Sequence, residues 1–308
     1  MQRLDGGLAV PAHLAGGIVA LGNFDGFHLG HQAVVGRAVA RARGEGRPAL
    51  VATFDPHPRR YFQPDAPPFR LTTLDQRERL FAAAGADAMV VFRFDDALAS
   101  LDAGAFVDER LVGGLRVAGV VTGEDFTFGA KRSGNVDVLR ALGAAAGFAV
   151  ETVGPVLLDG APVSSSRIRD ALKGGRPEIA AGLLTRPFAV EGAVAHGDKV
   201  GRTIGYPTAN IDLGRYLRPA YGIYAVRGRL ADGRVLDGAA NLGVRPMFDP
   251  PKELLEAYFF DFAADLYGQM VEVELHAFLR PEGRFDGLDA MVAQMDADCR
   301  AARAILRP

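Results

Sequence analysis

The chain has 308 residues, 49% of them hydrophobic and 23% charged, with 35 basic and 37 acidic side chains and a net charge of −2. That is apolar material enough for two packed cores, at about 150 residues per domain, and it excludes a disordered chain. The charge balance, +1 up to Pro187 and −3 beyond it, lacks the basic excess of a nucleic-acid binder, and a single cysteine, Cys299, excludes an internal disulfide framework and a cysteine-built zinc cage.

The segment Met1–Gly7 lacks the charged-then-apolar pattern of an export signal. The longest uncharged apolar run, Ala141–Val150, is too short to span a membrane and is broken by two glycines. A cytoplasmic chain with no membrane partner is therefore expected. Ile18–Leu21, Ala49–Phe54, Ala88–Phe94, Val117–Thr122 and Ala149–Val153 read as buried strands, short and bounded by turn residues. Helical patterns lie between them, over Gly30–Arg43, Asp75–Ala84, Asp102–Val112 and Val136–Leu142. Asp75 and Glu78 have capping-box spacing, and Gly85 is placed to end that helix. The alternation predicts an α/β domain, a Rossmann-like parallel sheet covered on both faces, with ligands beyond the carboxyl ends of its strands.

After Lys173–Pro177 the texture changes. A short helix over Glu178–Leu184 precedes strand-like segments at Phe188–Ala195, Gly222–Gly228, Val235–Ala240, Leu255–Phe262 and Met270–Phe278. Asp232-Gly233 is a hairpin signal between two of them. Leu288, Met291, Val292, Met295, Cys299, Ala302 and Ile305 then repeat at helical spacing. The second domain is thus expected to be all-β, a small barrel of Greek-key type with a C-terminal helix, and the domains to span residues 1–186 and 187–308. Cys299, on the apolar stripe, reads as a core residue and not a nucleophile.

The run Gly22-Asn23-Phe24-Asp25-Gly26-Phe27-His28-Leu29-Gly30-His31 follows the first strand and opens the first long helix. A helix N-terminus offers free N–H groups and a positive dipole end, which suits phosphate. His28 and His31, three apart, add donors on one face, and Gly30 permits close approach to the backbone. Imidazoles beside a polyphosphate are favoured in the charged form and suit charge building on a displaced phosphate. A plain helix cap, or a two-histidine metal site, are the competing readings. Three further loops fall at strand ends or helix starts. Phe54-Asp55-Pro56-His57-Pro58 is a proline-stiffened turn that also places His57. Gly123–Gly129 carries Asp125, Phe126 and Phe128, either flanking a planar ring or plugging the core. Ser164-Ser165-Ser166 with Arg167 and Arg169 opens another helix, as an anion site or a simple serine cap.

In the second domain a glycine-rich stretch with Gly201 and Gly205 ends in Pro207-Thr208-Ala209-Asn210 and is not a Walker loop. In an extended segment Thr208 and Asn210 point to the same side, two neutral oxygens suited to magnesium that is held mainly by nucleotide phosphates. Glu256, in an apolar strand-like run, is either an edge-strand surface residue or a placed base.

His28-x-Gly30-His31, with Ser164-Ser165-Ser166-x-x-Arg169, resembles the HxGH nucleotidyltransferase superfamily. The whole Gly22–His31 string, with Phe54–Pro58 and Gly123–Gly129, is similar to the adenylyltransferase module of prokaryotic bifunctional riboflavin kinase/FAD synthetases. Pro207–Asn210, Asn241–Pro246, Glu256 and Asp265–Gly268 occur in the order found in the riboflavin kinase module. The resemblance implies two MgATP-dependent reactions: phosphorylation of riboflavin to FMN, then transfer of AMP to FMN, giving FAD and pyrophosphate. It implies ATP, Mg²⁺ and flavins as ligands, client flavoproteins as partners for the product, and no nucleic acid. It implies that His28, His31 and Arg169 hold phosphates, with Gly22, Asn23, Phe24, Asp25, Gly30, Ser164, Ser165, Ser166, Gly201 and Gly205 also lining ATP. It puts His57, Asp125, Phe126, Phe128, Arg245 and Tyr267 near flavin, Thr208 and Asn210 on the metal, and Glu256 as base. Ser166, Lys199, Met247 and Tyr258 depart from commoner family residues. A single-function nucleotidyltransferase with a β binding module, or a non-catalytic flavin-binding regulator, are the rival readings.

Overall fold

Short runs of valine, alanine and isoleucine form a six-stranded, all-parallel sheet in the order β1-β4-β3-β2-β5-β6. The strands are β1 (Gln2–Asp5), β2 (Ile18–Leu21), β3 (Ala49–Asp55), β4 (Ala88–Arg93), β5 (Gly119–Gly123) and β6 (Ala149–Val153). All of β2 and nearly all of β3 are buried, as expected of strands covered on both faces. The computed structural model describes residues 1–195, 206–245 and 252–307. It divides into Met1–Pro67 with Thr72–Ser164, and Pro68–Leu71 with Ser165–Pro308.

In the first unit Ile18, Ala20, Val51 and Met89 face helices α1 (Leu29–Glu45) and α3 (Leu74–Ala83). Val19, Leu21, Ala52 and Val90 face the other way, toward α5 (Ala103–Ala105), its π-helical continuation Phe106–Leu115, and α6 (Val136–Ala146). Two short helices, α2 (Pro58–Phe62) and α4 (Asp96–Ser100), follow β3 and β4. Strand order reverses between β2 and β5, so the crevice beyond their carboxyl ends is the place for a ligand. The loops that leave these two strands are 22–28 and 124–135.

The capping box of α3 is formed by Thr73 and Gln76 and not by Asp75 and Glu78. Asp75 and Glu78 instead bind Arg3 of β1, at 2.5 and 2.7 Å. The small hairpin β7 (Leu157–Leu158) and β8 (Ala161–Pro162) follows β6.

In the second unit α7 (Ser165–Lys173) and α8 (Pro177–Leu184) precede an antiparallel sheet in the order β10-β13-β12-β11-β14-β9. Its strands are β9 (Phe188–Ala193), β10 (Ala209–Asp212), β11 (Gly222–Leu230), β12 (Val235–Arg245), β13 (Lys252–Phe259) and β14 (Met270–Arg280). The two ends of this order meet where the Ala195 N–H donates to the Asn210 carbonyl at 2.8 Å, closing the sheet toward a barrel. Asp232-Gly233 turns the β11–β12 hairpin as expected. Packing groups α7 and α8 with the barrel: the Ala220 N–H donates to the Leu172 carbonyl at 3.0 Å, and α8 lies on β9 and β14.

Helix α9 (Leu288–Leu306) covers Ala225, Ala239 and Phe260 with Ala302, Leu306 and Cys299. Its buried stripe differs from the apolar pattern: Leu288 and Ile305 are exposed, while Asp298 is buried. Asp298 accepts three charge-assisted bonds from Arg280, at 2.6, 2.9 and 3.1 Å, and one from Gln294. A paired carboxylate can therefore occupy a core position that hydrophobicity assigns elsewhere.

Candidate active sites

The loop between β2 and α1 holds its shape by unusual backbone angles. Phe24 and Phe27 adopt left-handed φ values of 49° and 47°, and Gly26 has φ 89°. Left-handed non-glycine residues each cost about 1–2 kcal/mol, so the surroundings must enforce them. Helix α3 does so with two buried side chains one turn apart. Phe81 meets the rings of Phe24 and Phe27 edge-on, at 5.8 and 5.1 Å. Arg77 reaches the Asp25 carboxylate at 3.2 Å, the Asn23 carbonyl at 3.2 Å and the Thr53 hydroxyl at 3.3 Å. Thr72 donates its backbone N–H to Asp25 at 3.1 Å and accepts the Gly26 N–H at 2.9 Å. Phe24 and Asp25, placed on ATP by resemblance, thus serve the loop from inside, at 2% exposure each.

His28 is the N-cap of α1, and its Nδ1 lies 3.4 Å from the His31 N–H. The two imidazoles stack with ring centroids 3.6 Å apart and planes 20° from parallel. Phe24 meets His31 edge-on at 5.3 Å, linking the packed loop to the histidine pair. Gly30 has a second role beside backbone access: a Cβ there would stand 3.2 Å from His28 Cε1. The Asn23 side-chain oxygen is buried without a hydrogen-bond partner, while the Asn23 carbonyl accepts the Thr53 hydroxyl at 2.8 Å.

At the neighbouring strand end, Phe126 and Phe128 stack at 5.7 Å with planes 12° apart. Phe128 belongs to the core, beside Phe106, whereas Phe126 is half-buried and Asp125 exposed. Phe128 therefore follows the core-plug reading, while Phe126 leaves its ring partly open. His57 caps α2 by accepting the Arg59 N–H at 3.1 Å, directly after the cis Asp55–Pro56 bond. Beyond it Tyr61, Phe62 and Phe94 form an aromatic group that sequence patterning did not single out, with Phe62 66% exposed. Gly22 stands against the Phe24 ring.

In the second unit α7 carries Ser165, Ser166 and Arg169 in its first turns, directly after Ser164. Arg169 donates to the Phe69 carbonyl at 2.9 Å and lies over the Phe69 ring. The barrel sets a row of polar residues in register: Asn210 on β10 faces Glu256 on β13, which faces Asn241 on β12. Directly opposed residues share a face, so the three side chains leave the sheet together. β13 is an internal strand, so Glu256 is not an edge residue. Asn210 is buried, Glu256 and Thr208 half-buried, and the Asn241 amide oxygen is buried without a hydrogen-bond partner.

Two residues along the strands, the same face carries Tyr258 and Ala239 beneath α9. Tyr258 meets Tyr206 edge-on at 5.0 Å, and the Tyr206 hydroxyl donates to Asp296 of α9 at 2.5 Å. That bond to a carboxylate, with burial, holds the Tyr206 phenol well above its ordinary pKa. Tyr206 thereby ties the segment entering Thr208 to α9. Tyr267 lies in the turn where its N–H bonds Asp265 at 2.9 Å. Arg245 ends β12, with its side chain outside the described residues, as are Gly201 and Gly205. Among the described residues no group of three or more histidine, cysteine, aspartate or glutamate side chains forms a metal cage.

A family model described as FAD synthetase matches residues 10–167, and one described as riboflavin kinase matches residues 184–306. A curated Haemophilus influenzae protein, named bifunctional riboflavin kinase/FMN adenylyltransferase, is 40% identical over 291 residues, 94% of each chain. The chain belongs to the bifunctional riboflavin kinase/FMN adenylyltransferase family. A Pseudomonas fluorescens member is 42% identical over 97% of this chain and 95% of its own. The Escherichia coli K12 member is 39% identical, over 94% and 92%. A crystal structure described as a macrolide-efflux protein from Streptococcus pneumoniae has a TM-score of 0.87 and 31% identity, covering 98% of this chain and 99% of its own. That description differs from the family's enzyme names, and no described helix of this chain is long and apolar enough to cross a membrane.

Proposed function

We propose that this member of the bifunctional riboflavin kinase/FMN adenylyltransferase family makes FMN from riboflavin and ATP, then FAD from FMN and ATP, at two separate sites. The observation that carries the reading is that each unit holds its own constellation: stacked His28 and His31 at the start of α1, and Asn210 in register with Glu256 on the barrel. We assign adenylyl transfer to residues 1–186 and phosphorylation to residues 187–308, in the cytoplasm, where ATP is made.

For phosphorylation, Glu256 orients the ribityl primary hydroxyl and accepts its proton as the oxygen attacks the γ-phosphorus of ATP, the bond from that phosphorus to the β–γ bridging oxygen breaks, and ADP leaves. Asn210, in register with that carboxylate, and Thr208, two residues before Asn210, offer neutral oxygens, a hard donor set that would fit Mg²⁺ together with nucleotide phosphates. An ion held there would supply neutralisation of charge on the transferring phosphoryl group. For adenylyl transfer, the FMN phosphate attacks the α-phosphorus of ATP, and pyrophosphate leaves. His28, His31 and the first N–H groups of α1 stabilise the charge gathering on pyrophosphate. The Arg77 network keeps those donors aimed, so the rate comes from alignment and electrostatics. Ser164, Ser165, Ser166 and Arg169 are assigned to ATP by the resemblance alone, and likewise Gly201 and Gly205. His57, Asp125, Phe126, Phe128, Arg245 and Tyr267 are assigned to flavin.

Incubation of the protein with riboflavin and MgATP, followed by chromatographic separation, tests the reading. FMN appears first and FAD follows; if neither flavin nucleotide forms, the proposal fails.

A further inference from the structure

We propose that Asn241 reads a secondary hydroxyl of the substrate's polyol chain, making it a specificity-determining residue of the phosphorylation site. The inference rests on the reading of Glu256 as the group facing the reacting primary hydroxyl, and extends it to a residue with no role so far.

The Asn241 amide oxygen is buried and lacks a hydrogen-bond partner. Buried polar atoms of folded chains are nearly always paired, and an exception calls for an explanation. The nearest positions on its face cannot supply a donor. Across the sheet Asn241 faces Ile223 on β11 and Glu256 on β13; the first is apolar and the second, when ionised, only accepts. Along β12 the same face carries Ala239 and Gly243. The Glu282 carboxylate, another acceptor, fills the space at Gly243, where a Cβ would stand 2.1 Å from its Oε1. Among the described residues directly opposed to Asn241 or next along β12 on its face, the acceptor therefore meets only apolar groups and other acceptors. Tyr258, diagonally placed on β13, carries a hydroxyl but makes no hydrogen bond to it, and a ligand hydroxyl is the donor that fits.

Register narrows what that ligand group is. Opposed side chains on neighbouring strands start about 5 Å apart, so Glu256 stands between Asn210 on one side and Asn241 on the other. Nucleotide phosphates carry only acceptor oxygens when ionised and gain nothing from an amide oxygen, and Asn210, assigned to their metal, lies on the far side of Glu256. A polyol bears hydroxyl donors on consecutive carbons. When its terminal hydroxyl faces Glu256, the next hydroxyls along the chain come within reach of a neighbour about 5 Å away. A site whose buried acceptor is satisfied by a substrate hydroxyl rejects the analogue lacking it, because the acceptor is then left bare.

The test compares riboflavin with its 2′-, 3′- and 4′-deoxy analogues as substrates of the wild-type protein and of Asn241→Leu and Asn241→Ala. The wild type is expected to use one analogue at least about 100-fold less efficiently in kcat/KM. Both variants should shrink that ratio at least tenfold, mainly by impairing riboflavin, and leave adenylylation of added FMN unchanged. Asn241→Leu should also unfold at no lower temperature than the wild type, because it removes an unpaired buried polar atom. If Asn241→Leu does not fold, Asn241→Ala carries the same comparison. Ratios that are the same in variant and wild type for all three analogues would overturn the assignment. So would a wild type indifferent to all three deoxygenations. Glu256→Gln, run alongside, separates the two levels: if it phosphorylates riboflavin at the wild-type rate, the underlying reading falls and takes this proposal with it. An inactive Glu256→Gln with unchanged ratios at Asn241 overturns the Asn241 role alone.

Discussion

The guanidinium of Arg77 lies 3.2 Å from the carboxylate of Asp25, and neither side chain is more than 3% exposed. This pair joins helix α3 to the loop that presents His28 and His31, and the same guanidinium also holds the Asn23 carbonyl. A buried pair broken from one side leaves an uncompensated charge, which costs about 3–5 kcal/mol. Arg77→Met is therefore expected to lower the denaturant midpoint of the first unit by a corresponding amount and to cut adenylyl transfer more than tenfold. Riboflavin phosphorylation by the same protein should stay within about twofold of wild type, since the polar row of the second unit does not involve α3. Parallel assays of both activities, with unfolding followed by circular dichroism, check this; equal loss of both would contradict it.

The second unit carries an acid-sensitive contact on its outer face. Glu274 accepts bonds from Arg229 at 2.5 Å and is 3.2 Å from His276 Nε2. Burial alone would raise its pKa, but the bonds from His276 and Arg229 outweigh burial and hold it below the ordinary value. A carboxylate with a depressed folded pKa contributes stability that is present above its unfolded pKa and lost as pH falls through the folded value. The thermal midpoint of the barrel should therefore decline as pH drops below about 4.5, the ordinary carboxylate range, and Glu274→Gln should flatten that decline. Differential scanning calorimetry between neutral and acid pH reads the effect; an unchanged slope in the variant would contradict it.

Cys299 is half-buried on the packed face of α9, and burial, reinforced by Asp298 and Asp296, pushes its thiol up to about 11. The thiolate is the reactive form. Alkylation by iodoacetamide at neutral pH is expected to run at least about tenfold slower than for free cysteine, without loss of either activity in Cys299→Ala. Mass spectrometry over a time course measures this, and labelling as fast as free cysteine would contradict the assignment of Cys299 to packing.

Strand β2 was legible because burial on both faces writes itself as an unbroken apolar run, Ile18–Leu21, which coincides with it residue for residue. Ala149–Val153 also coincides with β6, although that edge strand is only partly buried and carries Glu151 and Thr152. β1 was not legible, because Gln2-Arg3-Leu4-Asp5 is a polar edge strand held by pairing to β4 and by Arg3 on α3. Helix α9 was found by its period, but Asp298 is buried through Arg280, a partner 18 residues away, that no local pattern names. The candidate sites divide in the same way. The histidine pair announces itself by spacing at a helix start. Arg77 reads in sequence as an ordinary surface cation of an amphipathic helix, and its role depends on a loop 52 residues away. Asn241 stood in a run that carried the family resemblance, yet its relation to Glu256 exists only once strand register is set.

The central claim is that one chain performs two transfers with two separate sets of residues. The most direct measurement supplies Glu256→Gln and His28→Ala proteins, each confirmed folded by circular dichroism, with riboflavin or FMN plus MgATP, and follows the flavins by chromatography. Glu256→Gln should form FMN at least about 100-fold more slowly while converting added FMN to FAD at the wild-type rate. His28→Ala should do the reverse, with FMN accumulating and FAD formation at least about tenfold slower. Loss of both activities from either folded variant, or of neither from both, would contradict the account.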